Sequence, residues 1–309
     1  MRFLLLLLLS AIAAKADNPI ETGTVNWNRD FEAALKSSKE TGKPVFALFQ
    51  EVPGCAGCQK FGREVLSHPL LVEAIETEFT PTVIYNNQGG KDRELLNRFK
   101  EPAWNYQVVR FLDSEAKDII PRKDRVWEIG PLASRMVAAL EAKERAVPNY
   151  LKALSLGDDA SKIETAAFAM LCFWTGEMKL GQLDGVITTE AGWFEGREVT
   201  LVRYRNDQIS FAELASAAAK VDCADKIYAS SDEQLKTLGD TRLKTGKLSK
   251  TYRRAKDSDQ RRQIAGTQLM KLGLTPVQAT KVNAWARVNG DQALSWLSPS
   301  QLKKFNASR

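Results

Sequence analysis

The sequence predicts two mixed units, one α/β and one α+β, followed by a helical carboxy-terminal region. Three observations predict it. Residues 26–146 alternate helix-period and strand-like segments, residues 161–235 repeat such a mixture in a different order, and two helix starts with proline stand near the end of the chain. With 309 residues, 44% apolar and 27% charged, the chain is long enough for more than one core, which excludes wholesale disorder and a multi-pass membrane protein. Four cysteines and a single histidine make sulfur, carboxylates or backbone groups the carriers of any covalent chemistry.

Residues 1–16 have the layout of a signal peptide: Arg2, an apolar run from Phe3 to Leu9, and the small-x-small end Ala14-Lys15-Ala16. The run is well short of the roughly 20 residues that cross a bilayer. The expectation is cleavage after Ala16 and an exported, periplasmic or secreted chain without a transmembrane span. Loss of Arg2 and Lys15 takes the net charge from +6 to +4, too mild to argue for nucleic acid.

In the first unit, Asn28 is expected to cap a helix with Phe31, Ala34 and Leu35 on one face, ended by Gly42. Val45 to Phe49 reads as a buried strand, and Cys55-Ala56-Gly57-Cys58 opens a helix reaching about Leu66. A helix over Pro69 to Phe79, strands at Thr82 to Tyr85 and Val108 to Leu112, and a helix over Leu132 to Glu144 follow. A CxxC between strand and helix puts its first thiol where free backbone N–H groups and the helix dipole favour a thiolate, and its second thiol one turn on. Such a pair can take up and hand on two electrons. With no second CxxC and one histidine, a zinc site is disfavoured, and no metal or cofactor is expected. His68, before Pro69, is expected at the surface or as a cap. These residues, with Gly42-Lys43-Pro44-Val45 and the strand end Phe111-Leu112-Asp113, resemble the thioredoxin superfamily over about residues 26–146. That family usually has a cis-proline facing the CxxC, where Gln107 stands in this chain.

A linker is expected over residues 147–160, marked by Pro148, Gly157, Asp158 and Asp159. Beyond it, an apolar segment leads to Cys172-Phe173-Trp174, then come a strand over Glu198 to Tyr204 and a capping box at Ser210 to Glu213. A lone cysteine before two aromatics reads first as a core residue. The series Cys172-Phe173-Trp174-x-x-Glu177, Gly185-Val186, Gly192-Trp193, Glu198 and Ile209-Ser210-Phe211-x-x-Leu214, however, resembles the peptide-methionine (S)-S-oxide reductase (MsrA) family, a divergent α+β domain over residues 161–235.

The resemblance implies that Cys172 attacks a sulfoxide sulfur as a thiolate, that Phe173 and Trp174 form an apolar slot for its methyl group, and that Trp193 stands where the family has a tyrosine. It also implies that Glu198, kept protonated because burial raises its pKa, protonates the departing oxygen. The sulfenic acid left on Cys172 would condense with a second thiol, for which Cys223 is the candidate, and Cys55 and Cys58 would reduce the resulting disulfide. The sequence departs from the family in having Gly196 for a histidine, Leu171 for a glycine and Cys223 at a tyrosine position.

Residues 236–309 form a basic and helical extension. Ten Lys or Arg against three Asp or Glu between Lys236 and Arg262 read as a solvated face. Thr275-Pro276-Val277-Gln278 and Ser298-Pro299-Ser300-Gln301 predict two capped helices packing on the second unit, with Trp285 and Trp296 as core anchors. The expected function is an exported thiol-dependent reductase, acting on an oxidised protein or small sulfoxide and recharged by a thiol-disulfide reductant. The alternative is a general thiol-disulfide oxidoreductase whose second domain is a client-binding or inactive module.

Overall fold

A computed structural model describes residues 18–103, 107–157, 159–239 and 243–308. The leader expected over residues 1–16 lies outside the described residues, as does Asp158. In the first unit, helix α1 (Phe31–Thr41) is capped by Asp30, whose side chain accepts from the Ala33 N–H. The expected cap, Asn28, stands two residues before it and accepts from the Asp30 N–H instead. Gly42 ends the helix in the left-handed region at φ 69°. Strand β1 (Val45–Gln50) is buried on both faces, as its apolar run requires, because it is the centre of a three-stranded sheet. Helices α2 (Ala56–Glu64) and α3 (Pro69–Glu78) follow.

Strand β2 (Thr80–Tyr85) pairs parallel to β1 and begins two residues earlier than expected. Pro81 is tolerated there because β2 is an edge strand whose outer side is met only by a single bridge to Asn28, which uses the Pro81 carbonyl and the Val83 N–H and needs no N–H from residue 81. Helix α4 (Gly90–Phe99) was not foreseen; only Leu96 and Phe99 of its residues are buried. Strand β3 (Gln107–Leu112) closes the sheet antiparallel to β1. Helix α5 (Ile129–Ala142) comes next, and the stretch expected as a linker carries helix α6 (Asn149–Ser155). Tyr150 and Leu151 of α6 are buried in the same apolar cluster as Met136 and Leu140 of α5, which makes this segment part of a core and not a tether. Phe46, Phe79 and Phe111 meet at 5.4–6.0 Å between ring centres beneath the sheet.

In the second unit, β4 (Ile163–Ala169) leads into α7 (Phe173–Gly181), and β5 (Val186–Phe194) and β6 (Arg197–Arg205) form a hairpin. Its two-residue loop, Glu195-Gly196, has φ of 49° and 73°, the pattern of a tight type I′ turn. Gly196 therefore stands at a turn position. Helix α8 (Phe211–Lys220) has the expected capping box, Ser210 with Glu213. Strand β7 (Lys226–Ala229) and helix α9 (Asp232–Thr237) follow.

The basic stretch after Lys236 is not simply a solvated face. It supplies β8 (Thr245–Lys247) and β9 (Arg253–Arg254), the two edges of a six-stranded sheet ordered β8-β7-β4-β6-β5-β9 among the described residues. Two of its basic side chains are matched, Lys247 with Asp232 and Arg254 with Glu190 and Asp257, while Lys236, Lys244, Lys250, Arg253, Lys256 and Arg262 are exposed.

Helices α10 (Pro276–Trp285), α11 (Gly290–Leu294) and α12 (Pro299–Ala307) end the chain, with both expected capping boxes formed. Helix α10 lies against α7 and β5, where Lys281 Nζ donates to the carbonyls of Gly181 and Leu183 at 2.9 Å. Trp285 and Trp296 pack partly buried in the carboxy-terminal core. The start of α12 also meets α3, since Glu73 accepts from the Ser300 N–H and hydroxyl. Among the described residues no helix is long and apolar enough to cross a membrane. The fold class is thus mixed α/β and α+β with a helical carboxy-terminal region.

Candidate functional site

Two cysteine-centred sites occupy corresponding places, each at the N-cap of a helix that follows a buried strand. In the first, Cys55 caps α2 with extended backbone and is exposed, while Cys58, one turn on, is fully buried. Their sulfurs lie 3.5 Å apart as free thiols. The end of β1 holds the turn in place: Gln50 Nε2 donates to the carbonyls of Glu21 and Cys58, and Gly54 N–H donates to Glu21 Oε1. Gly54 is required by space, because a Cβ there would stand 2.6 Å from the Cys58 Cβ.

The Cys58 backbone N–H, aimed at the Cys55 sulfur, is the main cause that lowers the Cys55 pKa, with burial and the Glu51 charge working against it. Burial pushes Cys58 up to about 12. Exposed nucleophile and protonated buried partner are thereby divided between the two thiols. Gln107 does face this pair, since a Cβ on Gly57 would stand 3.6 Å from both the Cys55 sulfur and Gln107 Nε2.

Glu51 was not singled out in the sequence. Its Oε2 accepts from the Cys58 thiol at 3.9 Å, and the signal for it was only its place between the strand and the CxxC. Glu51, Cys55 and Cys58 put their donor atoms within 4.8 Å of one another, so among the described residues they are a group that could hold a metal ion. Three donors fall short of the four of a closed zinc site. His68 is the N-cap residue of α3, one of the two places expected for it, although its half-buried ring makes no cap bond to the helix. Burial lowers its pKa.

In the second site, Cys172 is the N-cap of α7 and half-buried, beside Leu171, which is 94% exposed. Glu198 Oε2 accepts the Phe173 N–H at 2.8 Å, so this carboxylate sits at the first turn of the cysteine's own helix. The reason is register: Met170 N–H bonds the Glu198 carbonyl, and Trp193 on β5 is the direct cross-strand partner of Glu198 on β6. Phe173 is buried with Ala191 and Ala255, and its ring meets Trp193 at 5.6 Å and Trp174 at 5.8 Å, both edge to face. Cys172, Phe173, Trp193 and Glu198 are thus brought together.

Two further expected participants have partners of their own. Trp174 is turned toward the later segment, where its indole N–H donates to the Asp259 carbonyl and Arg262 lies 5.1 Å from its ring. Cys223 is fully buried in the second unit's core, and its thiol bonds the Val221 carbonyl at 3.5 Å. Burial raises its pKa, with the nearby Cys172 a smaller cause in the same direction. Glu198 is only half-buried. The fully buried carboxyl is Glu177 on α7, pushed up to about 7 by burial; one oxygen accepts the Arg261 N–H and the other has no partner.

Comparison with known proteins gives a match of the Thioredoxin-like family to residues 26–113. No curated protein matches the chain. Among solved structures, a DsbH oxidoreductase is 20% identical, with 41% of this chain and 90% of that one covered at a TM-score of 0.32. Methionine sulfoxide reductase A of Corynebacterium diphtheriae is 20% identical, with 39% of this chain and 82% of that one covered at 0.28. Mxr1 from Saccharomyces cerevisiae, in an unusual oxidised form, is 19% identical, covering 31% and 76% at 0.25. The first unit is thioredoxin-like over residues 26–113, and both cysteines of the CxxC fall inside that stretch.

Proposed function

We propose that the chain is an exported thiol-dependent reductase in which Cys172 reduces methionine sulfoxide and Cys55 with Cys58 supplies the electrons. The observation that carries this reading is the carboxyl group of Glu198 at the N–H of Phe173, 2.8 Å away, which places it at the first turn of the helix that Cys172 caps, next to the packed rings of Phe173 and Trp193. The Cys172 thiolate attacks the sulfoxide sulfur while Glu198 delivers a proton to the oxygen. The attack forms an S–S bond to the substrate; the protonated oxygen then passes to the Cys172 sulfur as the S–O and S–S bonds break, so the substrate leaves as a thioether and Cys172 is left as a sulfenic acid.

A second thiol then condenses with the sulfenic acid, expelling water and forming a disulfide. Burial of Cys223 requires that the turn after α8 opens before it can serve, so the exposed Cys55 is a competing attacker. Either route ends with Cys55 and Cys58 as a disulfide, which an external dithiol reduces. Glu51, in contact with the Cys58 thiol, is placed to take its proton as that sulfur closes the disulfide.

The reading is tested by assaying methionine sulfoxide reduction with dithiothreitol in wild type, Cys172→Ser and Cys55→Ser. Activity in wild type and Cys55→Ser with loss in Cys172→Ser is the expected result. Absence of activity in wild type sinks it. A second reading, a general thiol-disulfide exchanger, draws on the exposure of Cys55 and its lowered pKa. It predicts disulfide reduction that survives Cys172→Ser and disappears in Cys55→Ser.

A further inference from the structure

Glu51, Cys55 and Cys58 gather three donor atoms between the end of β1 and the start of α2, and their geometry has a use besides disulfide exchange. The two sulfurs stand 3.5 Å apart, the Cys58 sulfur stands 3.9 Å from Glu51 Oε2, and all three donor atoms lie within 4.8 Å of one another. A tetrahedral zinc ion, with bonds of about 2.3 Å to sulfur and about 2.0 Å to a carboxylate oxygen, sets its ligand atoms about 3.5–3.8 Å apart. Two edges of the triangle thus have nearly the length that zinc requires. The third, from Cys55 to Glu51, closes by rotation about the bonds of the Glu51 side chain, which is only half-buried.

Charge points the same way. Two ionisable thiols and a carboxylate share this corner, yet Glu51 makes no ion pair among the described residues, and no Lys or Arg is among the main influences on either thiol. A divalent cation supplies positive charge and replaces the thiol protons, since a thiol bound to a metal is deprotonated outright. The backbone N–H groups of Gly57 and Cys58 point at the Cys55 sulfur and favour its negative charge, while Gln50 Nε2, donating to the Cys58 carbonyl, fixes the turn that carries Cys58. Cys55 is exposed, which gives an ion a path toward the buried Cys58 sulfur.

We infer that the reduced Cys55–Cys58 pair and Glu51 bind one zinc ion, with water in the fourth position. Three protein donors and a water make an open tetrahedral site. Two sulfur donors favour zinc over magnesium or calcium, which take oxygen ligands. Zinc binding and disulfide exchange exclude one another, because both use the same sulfur electron pairs. A bound ion therefore holds the pair reduced and out of exchange, whatever reaction Cys172 carries out.

Titration of the reduced protein with zinc against a chromophoric chelator tests the site, with cobalt as a spectroscopic substitute. One ion per chain is expected, accompanied by proton release and, with cobalt, by a sulfur-to-metal charge-transfer band. Zinc should also protect Cys55 from iodoacetamide until EDTA is added. Cys58→Ser is expected to lose one-to-one binding, Glu51→Gln to weaken it by about tenfold or more, and Cys172→Ser and Cys223→Ser to bind as wild type does. Wild type with the Cys55–Cys58 disulfide formed is expected to bind no zinc, and this comparison keeps the test decisive should Cys58→Ser fail to fold. Absence of one-to-one binding by reduced wild type, or equal affinity in the reduced and disulfide forms, overturns the proposal. Equal affinity in wild type and Glu51→Gln overturns the three-donor site.

Discussion

Cys55 and Cys172 both cap a helix that follows a buried strand, yet their immediate neighbours differ in kind. Beside Cys55 stands another sulfur, 3.5 Å away and buried, with the Glu51 carboxylate behind it. Beside Cys172 stands a carboxylate brought in from β6, and the other thiol of that unit is locked in the core. A helix N-terminus presents a cysteine equally well in both cases. The neighbour decides the chemistry: a second thiol closes a disulfide, whereas a carboxylate can move a proton to an oxygen leaving its substrate. On the proposed function the two arrangements complement each other, since the disulfide formed from oxidised Cys172 is what a dithiol such as Cys55 with Cys58 can reduce.

The strongest way to break the comparison is to exchange the losses. Cys172→Ser is expected to lower sulfoxide reduction by about 10³-fold or more while disulfide reduction continues, and Cys55→Ser to do the reverse when dithiothreitol is the reductant. Loss of both activities in either single variant would mean that the two sites do not work as separate steps.

Next in size is Glu198→Gln, expected to slow sulfoxide reduction by about 10²-fold or more, as loss of a general acid does. Glutamine still offers an oxygen to the Phe173 N–H, so stability should fall by less than about 1 kcal/mol. Rates with dithiothreitol and urea midpoints measured on the same variant separate the two effects. A rate unchanged from wild type would remove Glu198 from the chemistry.

The helices themselves differ in a buried charge, for α7 carries Glu177 and α2 has no counterpart. Its folded pKa of about 7 stands above the ordinary 4.5, so the folded state binds the proton more tightly than the unfolded one. Stability is therefore highest below about 4.5 and is lost as pH rises toward about 7, by about 3 kcal/mol for this group. Glu177→Gln should flatten that part of the stability curve, read as urea midpoints at pH 5 and pH 8. An unchanged slope would place the proton elsewhere.

How much of this was legible in the sequence follows from how local each signal is. The capping boxes at Ser210, Thr275 and Ser298 are written in four consecutive residues and formed as expected. Helix α4 was missed because a mostly charged segment buries just Leu96 and Phe99, and α6 because Pro148 and Gly157 read as a tether while Tyr150 and Leu151 anchor it. Strands β8 and β9 are two or three residues long, and their conformation is set by partners such as Ile227 and Gly192, far away in the chain. At the sites, the CxxC was legible by spacing alone. The meeting of Cys172 with Glu198 came through family resemblance, and the burial of Cys223 had no local sign because packing from α8 and β7 produces it.

The smallest effect sharpens the first site alone. Glu51 raises the pKa of both Cys55 and Cys58 by charge, working against the backbone N–H that lowers Cys55. Glu51→Gln removes that opposition, so the pH midpoint of Cys55 alkylation by iodoacetamide should move down by about half a pH unit. Cys58, at about 12 in the wild type, should stay unmodified at neutral pH in both proteins, as peptide mass mapping can check. The same variant should nevertheless slow disulfide closure, because the carboxylate that raises these pKa values is also the one in reach of the Cys58 proton. A more reactive first thiol with a slower second step is the signature that separates a proton acceptor from a mere neighbouring charge. If both steps became faster, Glu51 would act through its charge alone.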